Sequence, residues 1–411
     1  MQNKNETTSY HTLPNGLRIV HRQTASPVAW VGLMTGAGTR DELAEENGLA
    51  HYIEHCVFKG TEHRSARQII NRIEGIGGEI NAYTTKEETT FYAAVPAAYT
   101  GRAIELIADM VYHPLFEKEE TDKELQVILD EIESYNDSPS ELIYDDFEGL
   151  VFSGHPLQMP ILGTRRTLRR ITAGRAHRFM QTCYNPEHTV LFSQSPLPMS
   201  RIRAYAERWL GTIPYNARAY SRTAPSAEPA RRAEYRRHTH QTHVMLGGRA
   251  YPIGHPKQPA FYLLNNILGG GSLNSRLNLS LREQRGLVYT IESTYTPMSD
   301  TGYWSVYFAC EPQHEEQCTA LVMRELQRLR REPLSRSAMQ QALRQLQGQM
   351  AIAAENRENN ALGMAKLMLY GNEAPTWQQT FSEIERLTPT DLADCANELL
   401  AEEGISGLWY R

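Results

Sequence analysis

Residues 214–232 read PYNARAYSRTAPSAEPARR, and this stretch decides how the rest of the 411-residue chain is organised. It lacks the apolar periodicity found on either side of it and is rich in Pro, Ser and Arg, which reads as a linker between folded segments. A chain of this length also exceeds what one hydrophobic core usually serves. The predicted organisation is therefore a domain over residues 1–213, a linker at 214–232, and a second domain over 233–411.

Outward from the linker, the two flanks carry the same order of elements. On the N-terminal side, LPNGLRIVHR (13–22) sets Asn15-Gly16 between apolar residues, a hairpin signal, and AWVGLMTGAGTRDE (29–42) is a strand running into a Gly-rich turn. Asn47 is a candidate N-cap for a helix through HYIEHCVF, and Ser65 for ARQIINRIEGI, closed by Gly77-Gly78. EINAYTTKEETTFYAAV (79–95) reads as two strands joined near Lys86-Glu87. Helical patterns follow at 102–112 and 117–135, the second stopped by Asn136 to Pro139. On the C-terminal side come a strand (HVMLGGRA, 243–250), a helix (AFYLLNNIL, 260–268), a helix through NSRLNLSLREQRG (274–286), strands at 289–297 and 303–311, and long helices from Gln317. The expected fold class is α+β: two similar halves, each a mainly antiparallel sheet packed with helices.

Composition narrows the function. Lys and Arg number 42 against 48 Asp and Glu, a net charge of -6, and no long basic run offers nucleic acid its usual grip. Arg165-Arg166 and Arg169-Arg170 read as solvated helix faces. There is no apolar stretch long enough to span a bilayer and no apolar leader segment at MQNKNETTSY, so a soluble, cytoplasmic chain is expected, with the periplasm as the alternative. Five scattered cysteines without a C-x-x-C pair suit a reducing compartment.

The chemistry sits at HYIEH. On a helix, His51 and His55 lie one turn apart on one face with Glu54 beside them. Two imidazoles and a carboxylate can hold zinc with a fourth position left for water, and a carboxylate outside the ligand set can take that water's proton. Glu54 is the candidate base, in the inverted order H-x-x-E-H. Glu131, 76 positions after His55, is a candidate third ligand, and Glu124, two turns before it on the same helix face, could orient a ligating imidazole. Taken singly, these acids read equally as a solvated helix face.

The run NGLAHYIEHCVFKGTEHRSA (47–66), followed by GGEINAYTTKEETTFY (77–92) and VILDEIES (127–134), resembles the pitrilysin family of metallopeptidases, and the similarity extends over nearly the whole chain. The resemblance implies the processing-peptidase-like metallohydrolase fold, one Zn2+ per chain on His51, His55 and Glu131, Glu54 as general base and Glu124 as supporting acid. It implies further that Arg282 and Tyr289, in GGGSLNSRLNLSLREQRGLVY (269–289), bind substrate and stabilise the transition state, and that GGEINAYTT (77–85) is a substrate-side edge strand around Asn81 and Ala82. An Arg and a phenol can each donate to an oxyanion, and an edge strand can pair with an extended peptide. The implied activity is peptide hydrolysis. Because the chain is about half the length of single-chain relatives that enclose substrate between two halves, the resemblance implies a chamber of two chains. A homodimer is the simplest form and a heterodimer the alternative, with Arg282 and Tyr289 acting across the interface. Two other readings are a non-catalytic partner subunit and a small-molecule metallohydrolase.

Other motifs are set aside. His238, His240 and His243 would share a strand region without an acid or Cys to complete a site. Cys56 points about 100° away from His55 on a helix and reads as a small buried residue. Gly269 to Gly271 lack a following Gly-Lys-Ser/Thr and read as a turn. In NPEHTVLFSQS (185–195) the chain departs from relatives that carry a glycine after this strand, which bears on the local turn.

Overall fold

The structure is a computed structural model that describes residues 7–215, 221–237 and 239–411. The chain opens with β1 (Thr7–Thr12) and β2 (Arg18–Gln23), an antiparallel pair whose turn places Gly16 at φ 89°. β3 (Val28–Thr35) leads to α1 (Leu49–Cys56), then to a minimal hairpin, β4 (Gly60–Thr61) and β5 (Arg64–Ser65). α2 (Ala66–Glu74) starts from a capping box of Ser65 and Gln68 and ends at Gly75, ahead of the expected Gly77-Gly78. β6 (Glu79–Thr84) and β7 (Thr89–Pro96) form the anticipated strand pair, followed by α3 (Thr100–Tyr112) and α4 (Lys118–Asn136). Next come α5 (Pro139–Val151), α6 (Arg165–Leu168), α7 (Ala173–Cys183), β8 (Thr189–Ser195) and α8 (Met199–Trp209). The later part holds β9 (Arg232–Tyr235), β10 (Thr242–Arg249), α9 (Gln258–Gly269), β11 (Val288–Pro297) and β12 (Gly302–Cys310). It closes with α10 (Glu315–Arg331), α11 (Arg336–Ala353), α12 (Arg357–Leu369), α13 (Trp377–Glu385), α14 (Pro389–Leu399) and β13 (Ser406–Tyr410).

Each of two compact units is built on one sheet. The first has the order β1-β2-β8-β3-β7-β6, the second β11-β12-β10-β13-β9. Aligned on their central strands, β6-β7-β3-β8-β2 and β11-β12-β10-β13-β9 have the same sequence of pairings: three antiparallel, then one parallel, between β8 and β2 or between β13 and β9. The expectation of two similar α+β halves is met at the level of topology, and β6 and β11 are corresponding edge strands.

One unit boundary, Arg222/Thr223, falls inside the expected linker, but the units are not the two continuous stretches read from the sequence. The first comprises residues up to Glu133, Met159–Arg222 and Ala354–Ala374, and the second Ser134–Gln158, Thr223–Ala353 and Pro375–Arg411. In the first unit α12 lays Ala361, Met364, Ala365 and Leu369 against Val20, Met34, Val190 and Phe192 of the sheet. In the second unit α5 covers Met245, Leu408 and Tyr410 with Ile143 and Phe147. Both sheets are apolar on both faces, so each needs a cover on its second face, and in each case the cover comes from the other half of the chain. The expected linker is also pinned: the partly buried Arg222 donates to Asp41 (Nη2–Oδ2 2.6 Å) and to the carbonyls of Glu87 (2.6 Å) and Gly36 (3.1 Å) within the first unit. Among the described residues, no helix is long and apolar enough to cross a membrane.

The first unit's remaining helices bury α1 against the sheet's other face, with Leu49, Ile53, Cys56 and Val57 in its core. The N-terminus of α1 differs from expectation. Asn47 does not cap it; Gly48 holds that position at φ 93°. A Cβ there would meet the Gly163 Cα and the Leu162 carbonyl at 2.9 Å, so both the left-handed backbone and the close approach require glycine. The cap is the buried Glu42 side chain: Oε2 accepts from Gly48 N (2.8 Å) and Asn47 Nδ2 (3.1 Å), Oε1 from Ala50 N (2.7 Å). Burial pushes this carboxyl up to about 8 against the pull of those donors. Glu42→Ala is expected to lower unfolding stability in urea by about 2–4 kcal/mol, through a lost cap and orphaned buried N–H groups. Glu45→Ala, at an exposed position, should cost under about 0.5 kcal/mol.

Candidate metal centre

One helical turn separates His51 from His55 on α1, and the rings stand edge to face with centroids 4.6 Å apart. α4 supplies Glu131, whose Oε2 lies 3.8 Å from His51 Nε2 and 3.5 Å from His55 Nε2. These three groups form a potential ion-holding cluster with ligand atoms within 4.8 Å of one another. Two turns earlier on α4, Glu124 Oε2 accepts from His55 Nδ1 (3.2 Å), while its other oxygen takes the Lys59 ammonium at 2.6 Å. The structure thus brings together all four residues that were expected to meet, and Glu124 holds the imidazole nitrogen facing away from Glu131.

Electrostatics separates the two imidazoles. Burial, reinforced by the neighbouring His55, drives the His51 pKa well below its usual range, so its lone pair is free at neutral pH. For His55, burial opposes protonation, but hydrogen bonds to Glu131 and Glu124 outweigh it and raise the pKa. Hydrogen bonding from His55 holds Glu131 below the ordinary carboxylate range. Neutral imidazole plus ionised carboxylate is the donor set that zinc accepts, and a second oxygen acceptor on the far nitrogen is its usual companion. The residues present fit a Zn2+ ion.

Glu54 takes no part in this cluster. Its Oε2 accepts from Thr84 Oγ1 at 2.7 Å, and burial raises its pKa above the ordinary 4.5 in spite of that hydrogen bond. Thr84 ends β6, the strand that carries Asn81 and Ala82, paired across to Tyr92 and Phe91 of β7. β6 is an edge strand, and its other side has no strand partner among the described residues. Thr84 and Lys59 escaped the sequence reading. Lys59 lies in the stretch 47–66 and Thr84 in 77–92, but a hydroxyl or ammonium carries no spacing signal of its own.

Arg282 and Tyr289 are in the second unit, with the Arg282 guanidinium 5.7 Å from the Tyr289 ring centroid. The expected helix here is a π-helical turn over Asn278–Glu283. Tyr289 falls where the β11–β12 register shifts between Val288 and Ile291, a bulge that turns its ring outward, 81% exposed. An aromatic ring so exposed has surface to offer a ligand. Among the set-aside motifs, His243 Nδ1 meets the Tyr307 hydroxyl at 2.9 Å, and His238 lies outside the described residues. Cys56 is fully buried, with its thiol pushed up to about 12 by burial. Gly270 caps the end of α9.

Residues 18–165 match the family model described as insulinase (peptidase family M16), and residues 170–346 the model of the peptidase M16 inactive domain. The chain is 29% identical over 395 residues to the uncharacterized zinc protease YmxG of Bacillus subtilis, covering 96% of each chain. It is 33% identical over 400 residues to the uncharacterized zinc protease SCO5738 of Streptomyces coelicolor, covering 95% of this chain and 86% of that one. In fold it is similar to a protease from Helicobacter pylori, with TM-score 0.92 at 20% identity over 99% of this chain and 100% of the other. A peptidase M16 inactive domain from Pseudomonas fluorescens gives TM-score 0.90 at 19% identity over 98% and 97%.

Glu124→Gln keeps the shape beside His55 but removes the charge that orients the ring. It is expected to weaken Zn2+ binding about 10–100-fold, read by competition with a chromophoric chelator.

Proposed function

We propose, for a chain that belongs to peptidase family M16, the insulinase family, that its metal centre makes it a zinc-dependent endopeptidase of peptides or unfolded polypeptide segments. The observation that carries this reading is the hydrogen bond from Thr84 to Glu54, which joins the open edge strand to the candidate base. A peptide added along β6 as a further strand, past Asn81 and Ala82, is aligned by its own backbone next to that carboxylate. This favours an extended peptide over a small molecule.

His51, His55 and Glu131 would hold one Zn2+, which when bound supplies a Lewis acid that polarises the scissile carbonyl and acidifies water. Glu54 takes the proton of the attacking water and returns it to the leaving amine, and its raised pKa makes it a stronger base and a workable acid. Glu124 keeps the His55 ring in place throughout. Arg282 and Tyr289 donate to the oxyanion. Since they belong to the unit without the metal cluster, we assign them to the opposing half of a two-chain chamber, a homodimer in its simplest form and a heterodimer otherwise.

Glu54→Gln should abolish peptide cleavage while retaining zinc; cleavage by the zinc-loaded variant would sink the mechanism. Because Glu54 must be ionised to act as base, activity should fall as pH drops through its raised pKa, placing the acid limb above pH 4.5. The Thr84 hydrogen bond pulls that pKa down, so Thr84→Val should move the limb to higher pH in a kcat/KM profile. Mixing inactive Glu54→Gln with inactive Arg282→Ala chains should restore cleavage, since each mixed dimer contains one intact composite site. Absence of recovery after proven subunit exchange counts against sites shared between chains.

A further inference from the structure

The structure assigns a second divalent-metal site to His63, Asp109 and His113, separate from the His51–His55–Glu131 centre. One ligand atom from each of the three lies within 4.8 Å of the others. Asp109 and His113 sit one turn apart at the C-terminal end of α3, where the terminal carbonyls favour a cation. His63 comes from the two-residue turn between β4 and β5, a position 46 residues from Asp109 in sequence. That turn is tied to the end of α3: Glu62 N donates to His113 O (2.9 Å), Leu115 N to Gly60 O (2.9 Å), and Thr61 bridges to Pro114. The two imidazoles are thereby held edge to face, centroids 5.2 Å apart.

Asp109 is set up as a one-oxygen ligand. Its Oδ2 accepts from Thr61 Oγ1 (2.7 Å) and Arg64 Nη1 (2.5 Å), which fixes the carboxylate plane and leaves Oδ1 facing both histidines. Oδ1 stands 2.6 Å from His63 Nδ1 and 3.6 Å from His113 Nδ1. Glu105 accepts from Arg64 (2.5 Å) and from Arg72 (2.7 Å), so beside the site two guanidiniums are balanced by the Glu105 and Asp109 carboxylates. Burial opposes ionisation of Asp109, but hydrogen bonds from Thr61, His63 and Arg64 hold its pKa low. The second observation is His113 Nδ1, a buried nitrogen with no hydrogen-bond partner that lies too far from Oδ1 to bond to it. An ion bridging His113 and Asp109 satisfies that atom. Tetrahedral bonds of about 2.0–2.1 Å place ligand atoms about 3.3 Å apart, so the exposed His63 ring has to withdraw from Oδ1 by about 0.7 Å, which a surface turn permits. Two imidazoles and one carboxylate oxygen, with the remaining position open to water, suit Zn2+ or a neighbouring transition metal such as Ni2+ and exclude a hard oxygen-seeking ion such as Ca2+.

The test is metal stoichiometry with Zn2+ as the probe. Metal-free full-length protein dialysed against excess Zn2+ and then passed over a desalting column should hold two equivalents. His63→Ala, a change in an exposed turn, should hold one and still cleave peptide, and His113→Ala should behave alike. His51→Ala/His55→Ala should hold one equivalent and cleave nothing, so failure of this site and failure of the catalytic reading give different patterns. A single equivalent in the wild type, or two in both His63→Ala and His113→Ala, overturns the proposal.

Discussion

The buried Glu42 carboxyl group is the fixed point on which the metal centre depends. α1 is eight residues long, and an isolated helix of that length does not persist in water. Its first turn exists because Glu42 accepts both Gly48 N and Ala50 N, while Gly48 passes so close to Gly163 that no side chain fits. From that anchored start, helical geometry alone presents His51 and His55 on one face and Glu54 beside them. Leu49, Ile53, Cys56 and Val57 then hold the opposite face in the core, so the polar residues cannot rotate away from α4.

A line of polar contacts continues from that helix: Lys59 on Glu124, Glu124 on His55, His55 on Glu131. Each step compensates the desolvation of the next group, and the result is a pair of imidazoles in different electrostatic states. Glu54 is kept out of this line by Thr84, which engages its carboxylate from the strand side. The separation matters chemically, because a carboxylate that ligates an ion cannot also serve as a free base.

The shared topology of the two sheets gives the second unit a counterpart to the central strands and main helices of the first. β11 takes the place of β6, and the π-helical turn before it takes the place of α2. The metal-ligating helix has its counterpart in α9, which is apolar and carries no histidine. Where the first unit invested its edge region in an ion site, the second carries Arg282 and the bulged, exposed Tyr289. The reciprocal exchange of α5 and α12 then makes each unit incomplete without a segment from the other half of the chain.

Much of this was legible in the order of residues. Periodicity located the hairpin at Asn15-Gly16, the β6–β7 pair, the long helices and the two-fold repetition, because hydrophobic spacing is a local property. The i, i+4 pair of histidines and the seven-residue interval from Glu124 to Glu131 fixed which side chains share a helix face, and family resemblance joined the two helices. What the sequence alone left open is whatever depends on non-local packing. The cap of α1 came from Glu42 rather than the adjacent Asn47, since burial of a carboxyl group near an N-terminus is decided in three dimensions. One unit boundary falls within the polar stretch at 214–232, at Arg222/Thr223, but the segments exchanged between the halves of the chain followed the faces of two sheets that needed covering. Thr84 beside Glu54 and His63 beside Asp109 and His113 are juxtapositions made by strand pairing and a tight turn, with nothing in their spacing to announce them. The sequence by itself determined the elements and the chemistry available to them; only tertiary structure decided which distant groups share a site, because convergence is a property of packed surfaces.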